Sequence, residues 1–183
     1  MNIKTKDLTL IAVMAALICV VGPLTIPLGP IPLTLANFMI YLTAAVLGAK
    51  KGPIAVAIYL LIGCVGVPVF SGFTGGIQKL IGVTGGFLLA DIPCAFIAGL
   101  GVRDGETTPA QKWRLPLFIV LGAVVLYTFG TAWFIIYKTY LLKVPTGVVE
   151  ALMACVVPFL LADVIKIAAA TLLAWPIRKA IYR

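Results

Sequence analysis

The chain contains no histidine and few acids: 6 Asp and Glu stand against 14 Lys and Arg in 183 residues. Without histidine it lacks the side chain most often used as a general base or metal ligand near neutral pH. The four cysteines, Cys19, Cys64, Cys94 and Cys155, lie in or beside apolar runs and show no CxxC spacing. That pattern fits buried thiols and argues against a metal site or a disulfide framework. "GFTGG" and "GVTGG" lack the GK[ST] ending of a phosphate loop, so the chain is not expected to hydrolyse ATP by itself. No nucleophile–base pair stands out either, and neither an enzyme nor a resident cofactor is expected.

Charge of both signs is scarce. Only 11% of residues are charged and 62% are hydrophobic, whereas soluble domains run near a quarter charged. With a mean hydropathy of +1.17, the chain reads as an all-α, polytopic membrane protein whose main solvent is lipid. The net charge of +8 does not point to nucleic acid, because the basic residues flank apolar runs in small groups. The start, "MNIKTKDLTLIAVMAALICVVGP", has a basic head and an apolar stretch but no small-x-small cleavage site. It is read as a first transmembrane helix, not a cleaved leader.

Proline, glycine and polar clusters divide the chain into six expected helices within one domain: 7–21, 34–49, 53–65, 85–101, 115–137 and 146–175. With the N-terminus placed inside, ten basic residues fall inside: Lys4, Lys6, Lys50, Lys51, Arg103, Lys112, Arg114, Arg178, Lys179 and Arg183. Three, Lys79, Lys138 and Lys143, fall outside. This bias predicts that both termini are cytoplasmic. The two outer loops that remain, "PLTIPLGPIPLT" and "PVFSGFTGG", are greasy and rich in backbone-fixing residues. They suggest a lid packed over a cavity. The motif TGG recurs ten residues on, in "FTGGIQKLIGVTGGF", where glycines such as Gly86 allow backbone amides to approach a ligand.

Asp163 and Lys166 sit three residues apart in the almost unbroken apolar run "PFLLADVIKIAAATLLAW". Three helical steps turn about 300°, so the two side chains share a face. A charge at mid-membrane costs at least a few kcal/mol, and such residues usually face a cavity or the bundle interior. The pair is either a helix–helix ion pair that fixes packing or the polar floor of a pocket. An acid and a base together suit a ligand carrying both N–H and C=O groups. Asp91, in "FLLADIPCAF", is a second buried acid with the same two readings. Thr34, Asn37 and Tyr41 form a polar stripe along the second helix, and Gln78 can contribute from the third loop. Glu150 near the start of the sixth helix needs only the helix dipole to explain it. Ala12 and Ala16, four apart on the first helix, make a flat strip open to close approach by another helix.

The blocks "IPLGPIPLTLANF", "LGAKKGPIAVAIYLLIGCVGVPVFSG", "GVTGGFLLA" and "LADVIK" resemble the BioY family. Its members are the biotin-binding S components of energy-coupling factor transporters. Asn37, Val83 and Asp91 depart from the residues common there. The resemblance implies a six-helix S-component fold and a vitamin held near the outer face under loops one and three. It implies a transmembrane coupling protein and two cytoplasmic ATPases as partners, with Ala12 and Ala16 meeting the coupling protein. It also implies that the S component topples to carry its ligand inward. Biotin, as ligand and not cofactor, has a ureido ring, a thioether ring and an acid tail. Asp163 can accept ureido N–H bonds, and Lys166 can donate to the ureido carbonyl or to the carboxylate. Tyr41 and Phe87 can cover the thioether ring. The competing reading is an ion-coupled secondary transporter of a small vitamin-like solute, protonated at Asp163 or Asp91.

Overall fold

The computed structural model describes residues 5–27, 31–102 and 111–182, with only the backbone of 111 and 112. Lys4, Arg103, Arg183 and the side chain of Lys112, all part of the orientation argument, lie outside it. So do three residues of the first loop, Leu28, Gly29 and Pro30.

Helix α1, Thr5–Val21, buries Ile11, Met14, Ala15 and Ile18, which recur at helical spacing. Its other face exposes Leu8, Val13, Leu17 and Val20. Charge would occupy that face in a soluble protein; here it is apolar too, as lipid contact allows. Gly22 and Pro23 end the helix because proline supplies no N–H to continue it. A two-stranded antiparallel ribbon follows, β1 (Thr25–Ile26) against β2 (Leu33–Thr34).

Helix α2, Ala36–Cys64, is continuous in sequence but folded back on itself. Gly48 has φ 80°, a region open mainly to glycine. A Cβ added to Gly52 would lie 3.1 Å from the Cα of Ala44. In a straight helix residues eight apart are separated by about 12 Å. The two arms, 36–47 and 49–64, therefore run antiparallel, and the expected break between 49 and 53 collapses to one residue.

Short helix α3, Ile77–Ile81, leads into α4, Gly85–Gly99, and then α5, Gln111–Ile136, which ends in a π-helical turn, Tyr137–Leu141. The last expected helix, 146–175, is instead two: α6 (Val148–Cys155) and α7 (Val157–Ile181). Pro158 explains the break. It fits the first turn of α7, but inside a continuous helix it would lose a hydrogen bond and collide with the preceding turn. At the other end α7 runs beyond Trp175 through Pro176 to Ile181.

Contacts sort these helices into six passes between two ends. At one end Lys51 pairs with Asp7 at 2.7 Å, and Lys6 donates to the carbonyl of Ile181. Buried Arg178 donates to the carbonyls of Val46 (2.7 Å) and Ala45 (3.2 Å), the open C-terminus of the first α2 arm. Gly99 approaches the backbone of Ala49 there as well. The start of α1 and the end of α7 thus share one end. At the opposite end the ribbon and the 66–76 loop meet, with Gly72 N–H donating to Pro23 O at 3.0 Å. By length and hydropathy, Ala36–Cys64, Trp113–Leu141 and Val157–Ile181 are able to cross a membrane, and Gly85–Gly99 is a shorter apolar helix. The exposed surface of α7, with Leu161, Val164, Ile165 and Leu172, is larger and greasier than a water-facing helix tolerates.

Candidate functional site

One carboxylate organises the interior. Asp163 and Lys166, a turn apart on α7, are both buried, at 4% and 7% exposure. Lys166 Nζ donates to Asp163 Oδ1 at 3.1 Å. The other oxygen, Oδ2, accepts from the Tyr127 hydroxyl of α5 at 2.7 Å and from the Tyr41 hydroxyl of α2 at 3.3 Å. An ionised carboxylate offers about four lone-pair sites. Asp163 therefore has three taken by donors from three parts of the bundle. Lys166 has committed one of its three N–H donors to Asp163, and the residue is part of the lining of a hollow.

Two adjoining hollows open at the loop end, sharing Ile31, Pro32, Thr34, Asn37 and Phe87 as walls. The first closes on Tyr59, Ser71, Thr84 and Asp91. The second closes on Tyr127, Cys155, Phe159 and Lys166. The ribbon and the 66–76 loop sit at their mouth. Phe70 of that loop fills the gap left by Gly63 and meets Tyr59 edge-on, with ring centroids 5.5 Å apart. A groove on the outer wall, between Val124, Ile135, Leu152 and Leu160, carries no charged group and lies among lipid-facing side chains.

The residues singled out from sequence fall into three groups. Asn37, Thr34, Phe87, Asp91 and Lys166 line the hollows. Asp163 and Tyr41 stand behind the lining. Tyr41 is fully buried and props the carboxylate, so it is not the expected cover for a ligand ring. Thr34 spends its hydroxyl on structure, donating to Gly22 O at 2.8 Å and accepting from Ala36 N–H at 2.9 Å. Gly86 and Gln78 stand apart from both hollows. A Cβ on Gly86 would strike Trp133, so the glycine serves the α4–α5 approach. Gln78 is exposed on α3. Ala12 and Ala16 are exposed on the outward face of α1. Glu150, in the first turn of α6, pairs with Lys138 at 3.3 Å.

Tyr127, Tyr59, Ser71 and Thr84 escaped the sequence reading. Tyrosine is ordinary in an apolar helix, and nothing in "VVLYTFG" marks Tyr127 as the partner of an acid 36 residues on. A hydroxyl inside lipid does need a partner, and that was the signal available.

The BioY family model matches residues 1–183. A protein of Pyrococcus horikoshii named probable biotin transporter BioY is 36% identical over 171 residues, covering 93% of this chain and 95% of that protein. The biotin transporter BioY of Thermotoga maritima is 37% identical over 174 residues, covering 95% and 96%. Among solved structures, the S-component for biotin from an ECF-type ABC transporter superposes with a TM-score of 0.82 at 28% identity, covering 97% of this chain and 93% of that one. With a six-pass helical bundle, a match along its whole length and relatives above 30% identity across more than nine-tenths of their sequence, the chain belongs to the BioY family.

Proposed function

We propose that this chain captures biotin at the outer face of the cell membrane and delivers it inward with an ATP-driven energy-coupling module. The observation that carries this reading is the Lys166 ammonium, held by Asp163 at the floor of a loop-covered hollow inside the bundle. A buried cation with free donors suits a small ligand with carbonyl and carboxylate acceptors. The kinship with proteins named biotin transporters sets the ligand as biotin. The chain carries no phosphate loop, so the energy source is placed in partners: a transmembrane coupling protein and two cytoplasmic ATPases.

The exposed strip of α1 is the surface assigned to the coupling protein. Ala12 and Ala16 leave a flat stripe beside Val13 and Leu17. Tryptophan at Ala12 or Ala16 is expected to abolish ATP-dependent biotin uptake by cells while the purified chain still binds biotin. Equal loss of binding would move the strip into the pocket or core. Uptake by the chain alone that stops when the proton gradient collapses would replace this function with ion-coupled transport.

Orientation follows the basic residues. The end that gathers Lys6, Lys50, Lys51 and Arg178 is placed in the cytoplasm, and the loop-covered end outside. In a cysteine-free background, a membrane-impermeant thiol reagent is expected to label Phe73→Cys on intact cells and to spare Lys50→Cys, both at exposed positions. The opposite pattern would invert the protein.

A further inference from the structure

The groove on the outer wall of the bundle takes no part in the function proposed above. A stripe of α5, Val124, Thr128, Thr131 and Ile135, forms one side, at the alternating spacing of four and three that keeps side chains on one helical face. The other side runs from Val148 and Leu152 of α6 to Leu160 of α7, with Val156 at the break between the two helices. The groove measures about 470 Å³, within the range of small-ligand sites. None of its lining residues is charged. Thr128 turns its hydroxyl back to Val124 O at 2.8 Å, and the Thr131 hydroxyl is buried, so neither offers a polar group to the groove.

Length, rim and setting select the occupant. Val124 to Ile135 covers about 16 Å of helix at 1.5 Å per residue. That is half of a hydrocarbon core of about 30 Å, the depth of one leaflet. At the loop end the stripe runs on to Lys138, which pairs with Glu150 at 3.3 Å. Val144 N–H donates to Lys138 O at 3.0 Å and brings the adjoining Lys143 back to the same rim. Lys143 is exposed and, among the described residues, makes no ion pair. With Glu150 offsetting Lys138, the rim keeps one positive charge. On both flanks exposed Leu121, Val157 and Leu161 carry the groove into the lipid-facing surface.

We propose that this groove is a binding site for one anionic phospholipid of the leaflet on the loop side. An acyl chain lies between α5 and the α6–α7 break, and the phosphate meets Lys143 beside Lys138. Tyr127 lines this groove and the Lys166 hollow alike, and its hydroxyl holds Asp163. The seated chain therefore packs behind the ring that secures the central carboxylate.

Native mass spectrometry of the detergent-purified protein, titrated with phosphatidylglycerol or phosphatidylcholine, reads the site. The wild-type protein is expected to retain one phosphatidylglycerol in preference to phosphatidylcholine. Ala132→Trp places an indole in the groove from an exposed position and is expected to lose that lipid. Leu161→Trp, exposed on α7 outside the groove, is expected to keep it. Lys143→Gln is expected to weaken retention about fivefold, the effect of one basic group near a membrane surface, and gives an independent reading should Ala132→Trp fold poorly. Equal retention by the wild type, Ala132→Trp and Leu161→Trp would mean annular lipid only and overturn the site. So would phosphatidylcholine held as tightly as phosphatidylglycerol with no effect of Lys143→Gln. A wild-type dimer that Ala132→Trp dissociates would also overturn it, because the groove would then seat a second copy of the chain.

Discussion

Asp163→Ala is expected to lower the melting temperature of the detergent-purified protein sharply and to remove biotin binding with it. The carboxylate accepts from Lys166, Tyr127 and Tyr41, three donors that reach it from α7, α5 and α2. Removing it leaves a buried ammonium without its counter-charge, and breaking a buried pair from one side costs roughly 3–5 kcal/mol. The two tyrosine hydroxyls lose their acceptor as well, at about 1–3 kcal/mol for each buried group left unsatisfied. These costs overlap and do not simply add. Even the smaller of them is a large share of the 5–15 kcal/mol that holds a typical domain folded. A thermal melt followed by size-exclusion chromatography reads the effect. A wild-type melting curve for Asp163→Ala would mean that the cluster does not hold the bundle together.

Lys166→Met is expected to behave differently, with a smaller loss of stability and a specific loss of ligand. Asp163 keeps both tyrosine donors in this variant, so its charge remains hydrogen-bonded. The stability order is therefore wild type, then Lys166→Met, then Asp163→Ala. Affinity falls for another reason: the ligand's acceptor loses a charge-assisted hydrogen bond of roughly 1.5–3 kcal/mol. That corresponds to a ten- to hundredfold rise in Kd, at about 1.4 kcal/mol per tenfold. Biotin should consequently raise the melting temperature of the wild-type protein more than that of Lys166→Met at equal concentration. Equal shifts would place Lys166 outside the ligand site.

Much of this arrangement was legible in the sequence because membranes punish misplaced polarity. Asp163 and Lys166 stood out as charges in an apolar run, and helical spacing alone put them on one face. The greasy loops pointed to a cover, and the ribbon and the 66–76 loop do meet at the mouth of the hollows. Other features were hidden for definite reasons. The reversal at Gly48 depends on a positive φ, and composition near "GAKKGP" shows a break without locating its pivot. Pro158 breaks the last helix, but in sequence it also reads as an ordinary residue within a long apolar span. Tyr127 and Tyr59 reach the interior from helices whose facing surfaces are not recoverable from periodicity, since lipid-facing and core-facing residues are both apolar. The same loss of contrast hides that Gly86 lies in the close approach of α4 to α5 and that Gln78 is exposed on α3.

Packing and ligand binding make opposite demands on the charge pair, and the double variant Asp163→Asn/Lys166→Met separates them. It removes both charges at once, keeps an acceptor for the tyrosine hydroxyls, and leaves no buried ion unpaired. Biotin titrated into this purified double variant tests most directly whether the pair belongs to the ligand site. The expected result is a protein more stable than Asp163→Ala that still binds biotin at least tenfold more weakly than wild type. Recovery of both wild-type stability and wild-type affinity would show the pair to be a packing device and contradict its place in the binding site.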